Sequence, residues 1–352
     1  MPEWEPVGDI AVRPEQITDF FGLEDTLKRD KAYQERVAAK GQGTTSATEL
    51  FLKDMSVLED LKRVEKDQVP QKKRKKLDLE QKKSLERLAE LGKFIKRENN
   101  GEEETFVIDD RYPPQVLAVW RNINRGMKSG ARFANDPTVA RYVREYHARG
   151  ETRLSSSESQ QVAELGSQFQ KDMVSTCISM YENIYVIDKS TGKPDRNATM
   201  QTIETILNRM LQGIPQLHRQ ELAQRQQAIL AEFSTYVYYT EKGYKVTLTK
   251  PGQEDQTGVD FIAEKDGEVI YIDTKTGDNL REYRLPVLSR DKRRRVVTAQ
   301  SIAITAENNG MPSKHNRSAI NIMENATEEG MPGRPAPTAL AIVTMPPNQF
   351  KK

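Results

Sequence analysis

The chain has 352 residues, with 54 Lys and Arg against 52 Asp and Glu and a formal net charge of +2. That balance excludes a bulk electrostatic pull toward nucleic acid, so any anion-binding face must come from local clusters. The single cysteine, Cys177, excludes an intramolecular disulfide and cysteine-based zinc sites.

Hydrophobic residues make up 36% and charged ones 30%, which predicts a largely helical, elongated region beside one compact core. The start, "MPEWEPVGDIAVRPEQ", lacks the basic and apolar segments of a signal peptide. No apolar stretch approaches the ~18–20 residues that span a bilayer. The expected location is the cytoplasm, with no membrane partner, and export without a classical signal is the alternative.

Residues 1–105 read as a charged helical region, in which Leu50, Leu52, Met55, Leu58 and Leu61 fall close to helical spacing. The run Lys72 to Lys76 reads either as a nucleic-acid or import-like patch or as a solvated helix start. Gly101 and the acidic residues after it predict a break between helices. Residues 106–218 read as a helical domain. "PTVARYVREYHARG" and "QQVAELGSQFQKDMVSTCISMYENIYVI" are amphipathic, and Ser155 to Ser159 offer N-cap chemistry before the second. The segment 188–200 reads as a turn-rich connection. His147 and His218 have no partners at metal-ligand spacing and read as surface or packing residues.

From residue 219 to 352 the pattern changes. A helix ends at Lys242 and Gly243, a β-branched strand "YKVTLT" follows, and "GVDFIAEKDGEVIYIDTKTG" reads as a β-hairpin. A basic linker, "REYRLPVLSRDKRRR", leads to a helix "VVTAQSIAITAENNG", a polar insertion and the apolar strand "TALAIVTM". If Asp266 and Gly267 form a two-residue turn, Lys265 faces Glu268 and Asp260 faces Asp273. Two carboxylates directly opposed on one sheet face repel each other. Protonation of one, a neutralising cation or a different register would relieve the conflict. Lys275 lies two residues beyond Asp273 and shares its face. Two aspartates and a lysine suit Mg²⁺, which favours one or two carboxylates with waters and phosphate oxygens. The alternative reading is an exposed sheet face with an Asp273–Lys275 ion pair and a solvated second aspartate.

Glu232 on the preceding helix, "GVD", and Asp-x-Lys in the partner strand resemble the PD-(D/E)XK nuclease superfamily, with some likeness to its RecB-like branch. The resemblance covers roughly residues 220–345. It implies an α/β (α+β) restriction-endonuclease-like αβββαβ core preceded by a mostly α-helical N-terminal region. The Gln-x-x-x-Tyr helix of the RecB-like branch is incomplete, because Gln300 is followed by Ser-Ile-Ala-Ile.

The implied function is a magnesium-dependent endonuclease that hydrolyses DNA phosphodiester bonds, with Mn²⁺ able to substitute and RNA as the other substrate class. The resemblance makes Asp260, Asp273, the Thr274 main-chain carbonyl and Glu232 the metal site, with Lys275 orienting water and stabilising charge. Nucleic acid would be held by Arg290, Lys292, Arg293, Arg294, Arg295 and Gln300, with Arg281 and Arg284 adding charge. The helical N-terminal region would serve dimerisation, recognition or delivery. The competing readings are a nuclease toxin or secreted effector, and a non-enzymatic nucleic-acid-binding protein on the same scaffold.

Overall fold

The computed structural model of the chain describes residues 4–8, 10–12, 95–100, 103–108, 114–214, 219–250, 257–286, 311 and 334–346. In chain order the elements are β1 (Ile10–Val12), β2 (Ile95–Asn100), β3 (Glu103–Ile108), α1 (Pro114–Asn135), α2 (Pro137–Arg149) and α3 (Ser156–Asn183). Next come β4 (Ile184–Ile187), β5 (Pro194–Asp195), α4 (Arg196–Gln212) and α5 (Arg219–Glu241). The last strands are β6 (Lys245–Leu248), β7 (Phe261–Lys265), β8 (Glu268–Thr276), β9 (Arg281–Pro286) and β10 (Ala339–Met345). The architecture is mixed α/β. Among the described residues no helix is long and apolar enough to cross a membrane.

The chain forms two compact units, residues 1–128 with 179–202, and residues 129–178 with 203–352. The first holds a small mixed sheet, β1–β4–β5, in which β1 runs parallel to β4 and β5 antiparallel to it. This corrects two readings. Ile184–Ile187 is a strand, not the end of the preceding helix, and alternate residues of its β-branched run are buried. Ile10–Val12, placed in the charged helical region, is its parallel partner. The break expected at Gly101 joins strands instead of helices, because β2 and β3 pair antiparallel from Ile95–Ile108 to Asn100–Glu103. Thr199 ties α4 to this sheet, its hydroxyl accepting the Val186 N–H at 2.9 Å.

Helix boundaries follow local chemistry. The Asp136 carboxylate accepts the Thr138 and Val139 N–H groups at 2.9 and 3.0 Å, with Pro137 at the first turn of α2. Gly150, at φ 72°, closes the same helix. Ser155 and Glu158 form a capping box at α3: Glu158 Oε2 accepts the Ser155 N–H at 2.9 Å, and Ser155 Oγ accepts the Glu158 N–H at 3.3 Å. Cys177 is fully buried within α3.

The second unit contains a five-stranded sheet ordered β6–β7–β8–β10–β9. β6, β7 and β8 form an antiparallel meander, whereas β10 lies parallel to β8. The turn at Asp266 and Gly267 takes φ 48° and 84°, the double positive φ that a tight twisted hairpin requires. Lys265 faces Glu268 as expected, and the ladder continues to Phe261–Ile272. Strand β10 is buried along almost its whole length.

The supposed basic linker also needs correction. Arg281–Pro286 is an edge strand antiparallel to β10, with Tyr283 and Leu285 buried and Arg281 and Arg284 exposed. Arg284 therefore serves the sheet. Its guanidinium bonds Glu268 at 2.6 Å and Glu282 at 2.7 Å. Burial alone would raise the Glu282 carboxyl, but the hydrogen bond and charge of Arg284 hold it below its ordinary range. The Tyr244 hydroxyl, and then Arg284, do the same for Glu268. A lowered carboxylate contributes stability above its ordinary value, ~4.3, and loses it as pH falls through the folded value. Arg284 is 43% exposed, so solvent screening holds the expected cost of Arg284→Met to about 0.5–1 kcal/mol at pH 7. That deficit should shrink as pH falls below the ordinary carboxylate value and through the lowered folded one, as checked by urea unfolding at neutral and acid pH.

Candidate functional site

The residues of interest gather where β7 begins and β8 ends. The Asp260 N–H donates to the Ile272 carbonyl at 2.8 Å, although Ile272 already faces Phe261. Two residues therefore face one, which is the pattern of a β-bulge. Thr249, just past β6, draws the chain the other way. Its hydroxyl donates to the Val259 carbonyl at 2.6 Å, and its N–H donates to the Asp260 carbonyl at 2.9 Å. Strand β7 thus leans toward β6 and parts from β8.

The Asp260 side chain fills the opened ladder position. Its Oδ2 accepts the Thr274 N–H at 2.7 Å, a donor that an unbroken ladder would have matched with a carbonyl. A strand residue points its N–H and C=O to the same neighbour. The Thr274 carbonyl accordingly faces the same gap.

The sequence expectation of two directly opposed aspartates on one face is corrected here. The hairpin register is as expected, but the ladder stops one residue short of an Asp260–Asp273 pair. Thr274, Val343 and Glu282 are ladder partners and project together. Glu282 accepts the Tyr238 hydroxyl of α5 at 3.1 Å, which identifies that face as the one α5 covers. Asp273 and Lys275 alternate with Thr274 and project from the other face. Asp260 lies between, bonded to the peptide group that follows Asp273.

Each aspartate has its own ammonium partner. Lys275 Nζ lies 2.8 Å from Asp273 Oδ1, with the lysine side chain 37% exposed and the aspartate 5%. On the α5 side, Lys171 Nζ sits 3.1 Å from Asp260 Oδ1 and 3.2 Å from Glu232 Oε2. All three of these side chains are buried. The Gln170 amide donates to the other Glu232 oxygen. Arg225 Nη1 approaches the Gln170 Oε1 at 3.4 Å and the Gly166 carbonyl at 3.3 Å, and Arg225 Nε bonds Glu221 at 2.8 Å. Burial raises the Glu232 carboxyl above its ordinary range, opposed by the Lys171 charge and reinforced by that of Asp260.

Of the sequence-derived candidates, Glu232, Asp260, Asp273, Thr274 and Lys275 fall within this one region of the second unit. Arg290, Lys292, Arg293, Arg294, Arg295 and Gln300 lie outside the described residues, as does His218. His147 is a packing residue in α2, its Nε2 3.5 Å from Glu221.

Lys171 and Gln170 were missed. The available signal was helical phase. Lys171 precedes buried Val174 and Ile178 by three and seven residues on one stripe of α3. A lysine in an apolar stripe demands a buried anion.

Carboxylates at Asp260 and Asp273 and the main-chain carbonyl of Thr274 are the kinds of oxygen donor a hard divalent cation takes, with Asp260 turned to the α5 side and Asp273 projecting from the other face. Among the described residues no three His, Cys, Asp or Glu side chains are grouped to hold a metal ion. An ion here would take two carboxylates and complete its shell with solvent, as Mg²⁺ commonly does. No protein-family model matches the sequence, and no curated protein or solved structure matches it either.

Proposed function

We propose that the second unit is a magnesium-dependent phosphodiester hydrolase acting on DNA, built on a PD-(D/E)XK-type core. The observation that carries this reading is the opened end of the β7–β8 hairpin. There Asp260 is held against the peptide between Asp273 and Thr274, and Lys275 is paired with Asp273 at 2.8 Å.

The element order supports it as well. Helix α5 precedes three antiparallel strands, and β10, which follows the edge strand β9 and pairs antiparallel with it, lies parallel to the third.

Asp260, Asp273 and the Thr274 carbonyl would hold the divalent ion. Bound there, the ion would neutralise phosphoryl oxygens and lower the pKa of a water. Lys275 is the most solvent-accessible charged group of the set. Its ammonium, 37% exposed, can donate to a phosphate oxygen while it stays beside the buried Asp273 carboxylate. Lys275 would then stabilise charge that develops during in-line displacement. Asp273 positions that ammonium before substrate arrives.

The test is incubation of the full chain with supercoiled, linear and single-stranded DNA, and with RNA, in Mg²⁺ or Mn²⁺. Cleavage that stops on addition of EDTA is the expected result. Inertness toward every substrate in both metals would remove the proposal, and cleavage of RNA alone would reassign the substrate.

A further inference from the structure

We infer that Lys171 is a built-in cation that occupies the position a second divalent ion would take, so that the site accepts one ion only. The inference rests on the metal-dependent reading above and concerns residues that reading does not use.

Lys171 Nζ bridges Glu232 Oε2 at 3.2 Å and Asp260 Oδ1 at 3.1 Å. Two carboxylates of different elements that share a cation is the arrangement of a bridging metal position. Here the bridge is an ammonium carried on α3. Lys171 is 2% exposed, so water competes little for it. Its reach is limited as well, since the residue before it, Gln170, is tied to Glu232 and to Arg225.

Three consequences follow. Glu232 is the charge partner of Lys171, not a metal ligand. Asp260 divides its two oxygens, Oδ1 toward Lys171 and Oδ2 toward the Thr274 N–H, and an ion would share them. The ion would then lie on the side of Asp260 away from Glu232. A fixed ammonium also differs from a second metal in kind. It is present at every metal concentration, and it holds Asp260 oriented before the divalent ion arrives. Lys171 is thus a positioning residue for Asp260.

The test counts Mn²⁺ bound per full chain by loss of the free-ion paramagnetic resonance signal. The same titration is run on Glu232→Gln, Asp273→Asn and Lys171→Met. The wild type should bind one ion. Glu232→Gln should still bind one, with affinity within about 3-fold, whereas Asp273→Asn should lose at least 10-fold. Lys171→Met, where folded by circular dichroism, should bind two, because Glu232 and Asp260 are then open to a second ion. Two ions in the wild type, one in folded Lys171→Met, or a loss in Glu232→Gln equal to that in Asp273→Asn would overturn the inference and leave the metal-dependent reading standing. No bound ion in the wild type would overturn both. Glu232→Gln keeps the side-chain shape, so the test does not depend on Lys171→Met folding.

Discussion

Lys171→Met should lower the stability of the second unit by about 3–5 kcal/mol at neutral pH, the cost of breaking a buried ion pair on one side. The methionine fills the space of the lysine stem, so the loss is electrostatic and not a cavity effect. Glu232 and Asp260 would face each other without the ammonium that now separates them.

The pH dependence distinguishes this from simple packing loss. Burial already raises the Glu232 carboxyl, and Lys171 is what opposes that rise. A raised carboxyl gives its full contribution to stability below its unfolded value and loses it as pH rises through the folded value. Without Lys171 the rise is larger. The deficit of Lys171→Met should therefore grow from pH 5 to pH 8, as measured by denaturant unfolding across that range. A deficit independent of pH would mean that the ammonium has no electrostatic role. The double variant Lys171→Met/Glu232→Gln should recover part of the loss, because it removes one of the two carboxylates that Lys171 serves.

Lys275→Ala should abolish most hydrolysis, by at least 10²–10³-fold, the usual cost of removing a positioned stabiliser of developing charge. Its effect on stability should be smaller than that of Lys171→Met, because the Lys275 side chain is 37% exposed. Asp273→Asn should produce a loss of activity of the same order. The two together should cost little more than either alone, because the aspartate acts partly by placing the lysine. Thermal unfolding followed by circular dichroism, run beside the activity assay, separates a chemical defect from a folding one.

Much of the C-terminal region was legible in the sequence because its signals are local. Asp266 and Gly267 specify the turn, and the turn sets the register through Phe261–Ile272. Gly243, at φ 82°, ends α5 where the sequence places the stop. Strand β10 is apolar except for Thr344, as suits a strand buried on both faces.

What was not legible depends on distant partners. Ile10–Val12 is too short to show periodicity and is a strand only because β4 lies beside it. Arg281–Pro286 looked like a linker because its charges outweigh the two-residue spacing of Tyr283 and Leu285, which is what an edge strand presents. The bulge at Asp260 is set by Thr249, a residue eleven positions earlier in the chain, and a hairpin count has no access to it. Lys171 reads as one more polar residue in a helix until Glu232 and Asp260 are brought to it.

Like-charge repulsion at the hairpin is relieved by a local change in the ladder and by two separate cations. The ladder ends before the two aspartates align, and a separate lysine meets each one. The central claim is that this opened hairpin end hydrolyses phosphodiester bonds with a divalent ion held by Asp260 and Asp273. Cleavage of supercoiled plasmid in Mg²⁺, wild type beside folded Asp273→Asn, tests it most directly. The account predicts nicked and linear products from the wild type, none with EDTA, and at least a 10²-fold slower reaction from the variant. Equal cleavage by both proteins would contradict it.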